Sequence, residues 1–182
     1  MAEPLQFDLD EKIREFVSLA TGLDFDLRVI PGNDSHGAPN GPYATVLEIT
    51  KIGSGIDSEV AREGPSETEV TLNHSGRREI TYSVQFYRDG AADYAEGLLS
   101  YASTSTGQIW LAENGLTWQI AGPVQNLDSV MGSKNEIRRA VDITLRYQST
   151  SQEDINAIGS VEIDLTLSAE TDLTETVEVT DA

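Results

Sequence analysis

Residues 79–86, Glu79-Ile80-Thr81-Tyr82-Ser83-Val84-Gln85-Phe86, decide the fold class. Ile80, Tyr82, Val84 and Phe86 alternate with Glu79, Thr81, Ser83 and Gln85. In an extended chain every second side chain shares a face, so this stretch predicts a strand with one face in a core and the other polar.

The same alternation recurs to either side. Tyr43 to Lys51 reads as a strand with Tyr43, Thr45, Leu47 and Ile49 on one side, closed by Gly53, Ser54 and Gly55. Val70 and Leu72 mark a short strand that a turn at Asn73 to Gly76 joins to 79–86. Leu116, Trp118 and Ile120 form another, ahead of an irregular connection from Val124 to Asn135. Ile137, Arg139, Val141, Ile143, Leu145 and Tyr147 face away from Arg138, Ala140, Asp142, Thr144 and Arg146. At about 3.3 Å per residue that run reaches roughly 36 Å. A compact domain of this size is itself roughly 32 to 41 Å across, so such strands cross the whole sheet or overhang it to meet a neighbouring subunit. After a break at Ser149 to Glu153, Val161, Ile163, Leu165 and Leu167 alternate once more. Phe25 to Ile30 reads as a short strand, and the breaker-rich segment from Pro31 to Pro42 as a long loop. Ser58 to Pro65 is a polar loop.

Three segments switch to helical spacing. Asp8 and Glu11 form a capping-box pattern, after which Leu9, Ile13, Phe16, Val17 and Ala20 share a face until Gly22. With Glu11, Lys12, Arg14 and Glu15 outward, this helix should lie against a sheet. Asp89 or Gly90 opens a second helix whose Ala91, Ala95, Leu98, Leu99 and Ala102 permit close packing. Thr104 to Asn114 makes a third, ended by Gly115. Strands and helices together give an α+β class. At 182 residues, 38% of them apolar, one core is expected. We place a single α+β domain at 1–168 and an acidic C-terminal tail or arm at 169–182.

The chain holds 31 acids against 12 bases, a formal charge of −19, which repels nucleic-acid phosphates instead of releasing their counterions. Acidic surfaces favour solubility, and sequence-specific DNA binding is not expected. The imbalance is concentrated at the end: no Lys or Arg follows Arg146, whereas Glu153, Asp154, Glu162, Asp164, Glu170, Asp172, Glu175, Glu178 and Asp181 do. Val177 and Val179 keep a weak strand pattern there, suited to adding to a partner's sheet. No run approaches the length of a membrane span, and Met1 to Asp10 lacks the features of a secretory signal.

Chemistry is sparse. With no cysteine, disulfides, thiolate catalysis and cysteine metal sites are excluded. His36 and His74 sit among loop residues, and Asp24 with Asp26 reads as a solvated edge sooner than as a metal pair. Asn33 to His36 lack the closing Glu and spacing of a calcium loop, and no nucleophile elbow, P-loop, dinucleotide fingerprint or zinc-protease pattern occurs. Trp110, Trp118, Tyr82, Tyr87, Tyr94 and Tyr101 fit a core or a subunit interface. Glu136, Arg138 and Arg139 lead a strand with both signs of charge, which suits pairing between subunits. The candidate interface residues are Tyr87, Arg88, Glu136, Arg138, Arg139 and Arg146. No catalytic, metal or cofactor residue is proposed, and no enzyme is expected.

The order of elements resembles the phage neck and tail terminator family. The likeness is carried by Pro42-Tyr43-Ala44-Thr45-Val46, by Tyr82-Ser83-Val84-Gln85-Phe86-Tyr87, and by the helix with Ala92 and Leu98-Leu99. It continues through the short helix before Gly115-Leu116 and through Glu136-Ile137-Arg138-Arg139-Ala140-Val141-Asp142, spanning Asp8 to Glu162. The departure is Arg88-Asp89, where a tighter aromatic-glycine step is expected. The resemblance implies a mixed, mainly antiparallel sheet flanked by two to three helices. It implies a homohexameric ring that caps the tail tube, ends its polymerisation and joins the head connector, in the virion neck, after synthesis in the bacterial host cytoplasm. The implied partners are further copies of the chain, tube and sheath proteins and the neck connector, with DNA only passing through the lumen and no membrane. Acidic walls would keep that DNA from sticking. Pro31–Pro42 and the tail after Leu167 are then expected to be contact arms. The rivals are another head-tail joining or tail tube protein, where purified copies would stack into fibres, and a monomeric acidic domain that binds a basic partner.

Overall fold

The computed structural model describes residues 5–33, 37–63, 69–131, 134–156, 162–166 and 174–178. The chain divides into two compact units, Met1–Ile56 with Gly76–Ser149, and Asp57–Ser75 with Thr150–Ala182.

The first unit is built on a mixed sheet. Its strands are β1 (Val29–Pro31), β2 (Tyr43–Glu63), β3 (Glu69–Tyr87), β4 (Leu116–Ala121), β5 (Gln125–Asn126) and β8 (Arg138–Asn156). The order is β1-β2-β3-β8-β4, with β5 also on β8. β1 runs parallel to β2, pairing Val29 with Ala44, whereas β4 and β5 run antiparallel to β8. β6 (Ser129–Met131) and β7 (Lys134–Glu136) form a small hairpin of their own. The helices are α1 (Leu5–Thr21), α2 (Phe25–Arg28), α3 (Ala91–Ala102) and α4 (Ser105–Glu113). The α+β class is thus as expected, with the four-residue α2 beyond the expected helices.

The alternation in β3 does what its period requires. Ile80, Tyr82, Val84 and Phe86 are all buried, and they meet Leu9, Ile13, Phe16 and Val17 of α1, Ala91, Ala95 and Leu98 of α3, and Val141, Ile143 and Leu145 of β8 in one core. Phe16 is its hub: its ring lies 5.3 Å from Tyr101, 5.2 Å from Trp110 and 6.1 Å from Trp118. Tyr82 carries the one polar tie through this face, its hydroxyl donating to Asp10 Oδ1 at 2.6 Å. Burial, and next the Asp10 carboxylate, hold that phenol far above its ordinary pKa.

Several local expectations are corrected. Phe25 to Ile30 is not one strand: Asp24 Oδ1 accepts the Leu27 N–H at 2.8 Å and closes α2, so only Val29 and Ile30 belong to β1. Asp24 is therefore a helix cap and not a solvated strand edge. Gly53, Ser54 and Gly55 do not end β2, Asn73 to Gly76 do not turn β3, and Ser149 to Glu153 do not end β8. In each case ladder pairing to a neighbouring strand outweighs the local preference for a turn. The Ser58 to Pro65 loop is strand up to Glu63, and Pro65 lies outside the described residues. The helix expected from Asp8 begins at Leu5, and the connection at 124–135 holds β5, β6 and the start of β7. His36 also lies outside the described residues.

In the second unit the far portions of β2, β3 and β8 lie side by side: Ser58 Oγ donates to the Ser75 carbonyl at 3.2 Å and Gln152 Nε2 to Asn73 Oδ1 at 2.7 Å. β9 (Glu162–Thr166) and β10 (Thr174–Glu178) pair antiparallel with each other. The acidic tail thus holds a strand whose partner lies in the same chain. Val179 lies outside the described residues.

Candidate functional site

The helices cover one face of the first unit's sheet, and Tyr87 and Arg138 lie on the other. Parity places them there: Tyr87 follows Thr81, Ser83 and Gln85, and Arg138 follows the phase of Thr144 and Arg146. Thr81 and Thr144 share a hydrogen bond of 3.0 Å, and Arg146 Nη2 meets Glu79 Oε1 at 2.5 Å. As positions rise along β3 they fall along β8, so these two strands are antiparallel.

At the end of β3 this register builds a cation-capped aromatic pair. The Tyr43 and Tyr87 rings stack with centroids 4.5 Å apart and planes at 2°. Arg88 Cζ lies 5.2 Å from the Tyr43 centroid, and Arg138 Cζ 5.4 Å from that of Tyr87. Gln85 Oε1 accepts both the Tyr87 hydroxyl, at 2.8 Å, and Arg138 Nη2. Tyr43 is only 6% exposed. Its pKa is raised chiefly by burial and then by Tyr87 and the Glu136 carboxylate, against the lowering influence of Arg88 and Arg138.

Arg88 does more than cap a ring. Its guanidinium donates to the Pro39 carbonyl and, at 2.8 Å, to that of Gly41, while Arg28 Nη1 donates to Pro42 at 3.2 Å. The described part of the long loop is thus tied to the chain's own arginines. Arg88 takes a φ of 70°, the left-handed region, and is the single non-glycine residue to do so among the described residues. Its N–H donates to Ile137 at 2.8 Å and its carbonyl accepts from Ala91 at 3.1 Å, so both sides of the peptide are fixed. The Arg88-Asp89 departure leaves the turn intact: arginine holds a conformation that glycine reaches without strain.

The remaining candidates stand apart. Arg139 turns to Asn126 Oδ1, at 2.9 Å, and to the Asp128 carboxylate. Asp128 also accepts the Arg138 N–H at 2.8 Å, the main cause of its lowered pKa. Arg146, eight residues and roughly 26 Å along the strand from Arg138, belongs to the Glu79 pair. The Nε atoms of Arg138 and Arg146 are both buried without an acceptor among the described residues. Three candidates, Tyr87, Arg88 and Arg138, therefore converge, and Glu136 acts on the same cluster. Tyr43 and Gln85 were missed as site residues. Their signal is the hairpin register that brings the start of β2 to the end of β3.

A family model described as phage neck terminator protein matches residues 8–170, from α1 through β9. The chain belongs to the phage neck terminator family. No curated protein matches it in sequence. A neck terminator is a structural protein of the bacteriophage virion, and its place in the neck implies contact with other head-tail proteins. Among the described residues of this neck terminator, no helix is long and apolar enough to cross a membrane. His74, the one described histidine, lies between Glu59 at 3.7 Å and Glu153 at 3.9 Å, and among the described residues no group of three or more acidic or imidazole side chains is arranged to hold a metal.

Proposed function

We propose that copies of this chain close a ring on the end of the tail tube, stop tube polymerisation and join the tube to the head connector. The observation that carries the reading is the family match across 8–170, which takes in α1 to α4 and all but the last strand. The helix-free sheet face supports it, because stacked aromatics and guanidinium groups are the residue types enriched in protein contacts. Tyr87, Arg88, Glu136 and Arg138 are assigned to contact with a neighbour, with the buried Tyr43 supporting the Tyr87 ring from within the chain. Arg139 and Arg146 stand apart from that cluster, paired with Asp128 and Glu79. The work is structural and not catalytic, and the formal charge of −19 per chain suits a lumen that passes DNA without holding it.

Mass photometry and negative-stain imaging of the purified chain test this. The expected particle is a discrete ring of six copies, six times 19.8 kDa or about 119 kDa. A 19.8 kDa species at every concentration would overturn the reading, and long fibres would assign the chain to the tube instead.

A further inference from the structure

In the second unit the sheet has two open edges. The pairing of β1 with β2 ends at Val46, apart from the Gly32 N–H that reaches the Val46 carbonyl at 2.7 Å. The pairing of β4 with β8 ends at Tyr147. Over 58–63 and 150–156, no further strand lies beside β2 or β8 among the described residues, because β9 and β10 pair with each other. Among the described residues, each edge is then a row of backbone N–H and C=O groups with no neighbouring strand to pair with.

The two edges fit each other. They lie on opposite sides of the same three-stranded sheet. β2 and β8 each run antiparallel to β3, as the Ser58 to Ser75 and Glu59 to His74 contacts show for the first and the Glu79 to Arg146 and Thr81 to Thr144 contacts for the second. They therefore run in the same direction, and joining β2 of one copy to β8 of the next continues the sheet by a parallel pair. Such a head-to-tail joint uses different surfaces on the two copies, so its repetition can close into a ring where the rotation per copy allows, whereas a β2 to β2 joint stops at a two-fold dimer and leaves β8 uncovered. Both stretches are net acidic, 58–63 with Glu59 and Glu63 against Arg62 and 150–156 with Glu153 and Asp154, so the pairing forms against repulsion and rests on the backbone ladder. Neither edge has the proline or lysine that commonly guards against pairing. Val60, 52% exposed, and Ile155, 38% exposed, would both gain cover.

We propose, resting on the ring reading above, that the occupant of each open edge is a second copy of this chain: 58–63 of β2 in one subunit pairs in parallel with 150–156 of β8 in the next.

The cysteine-free chain makes the test direct. β2 and β8 flank β3, so their Cα atoms are about 9.6 Å apart within one copy, beyond the roughly 6.8 Å that a disulfide spans. Val60→Cys is combined in turn with Thr150→Cys, Ser151→Cys and Gln152→Cys, and each double variant is oxidised under native conditions. At least one should give a reducible ladder of covalent multimers that ends at the native copy number, and the single variants should give none. A discrete particle by mass photometry with no ladder from any double variant would overturn the edge pairing and leave the ring standing. A covalent dimer from Val60→Cys alone would replace it by two-fold pairing. A lone monomer of the unaltered chain would remove the ring and the joint together.

Discussion

Arg88 concentrates three jobs in one residue. It holds a left-handed backbone, anchors the carbonyls of Pro39 and Gly41, and caps the Tyr43 ring. The strain costs a residue with a Cβ roughly 1 kcal/mol. Arg88→Gly and Arg88→Ala lose the same side-chain contacts, but only glycine sheds the strain. Urea unfolding should therefore show Arg88→Gly more stable than Arg88→Ala by about 1 kcal/mol, with both more open than the parent to proteolysis in 37–42. Equal stabilities would mean that the backbone is not strained. Two helical glycines offer a sharper contrast. A Cβ on Gly107 would stand 2.1 Å from the Tyr101 carbonyl oxygen, against backbone that cannot step aside, where the α3 to α4 turn is drawn tight by Thr104. On Gly97 the nearest atom would be the Ala20 carbonyl at 3.5 Å, an ordinary contact. Gly107→Ala should cost roughly 2 to 4 kcal/mol, whereas Gly97→Ala should be neutral or stabilising by up to about 1 kcal/mol through helix propensity. Thermal melts of the pair decide it.

At the scale of elements, α3 and α4 were legible because their signals are local. Gly90 and Thr104 stand at the caps, and Thr104 Oγ1 accepts the Gly107 N–H at 3.1 Å as its type and place predict. The long strands were legible in phase and not in extent. Gly53 to Gly55 and Asn73 to Gly76 carry turn chemistry, and what overrides it is pairing with residues far away in sequence, which no local window contains. The site divides in the same way. Tyr87, Arg88 and Arg138 stood out by type at strand ends, but Tyr43 and Gln85 join them only through a register that the assumed turns had broken. The segment around β5 depends on a single carboxylate. Asp128 ties Arg138 N–H and the Arg139 guanidinium, so its folded pKa lies below its unfolded value near 4. A lowered carboxylate pKa contributes stability above the unfolded pKa and loses it as pH falls through the folded one. Asp128→Asn should accordingly destabilise at pH 7 and converge on the parent near pH 2. A stability gap that persisted in acid would assign the loss to packing and not to charge.

For the molecule as a whole, charge sets the terms of association. Each chain carries a formal −19, and the proposed ring of six would carry six times that, −114, so every joint would form against repulsion that no local contact removes. Salt screens that repulsion over about 10 Å at 0.1 M but only about 30 Å at 0.01 M, a distance longer than a subunit contact. The proposed attractive contact responds less, because a backbone ladder along the β2 and β8 edges is short-ranged. The balance predicts an assembly that tightens from 0.01 M to 0.15 M salt, which reverses the trend of a complex held by surface ion pairs. Sedimentation velocity across that range at fixed protein concentration reads it directly. Association that held constant or strengthened on dilution of salt would place opposite charges, and not the excess of acids, in control of the joint.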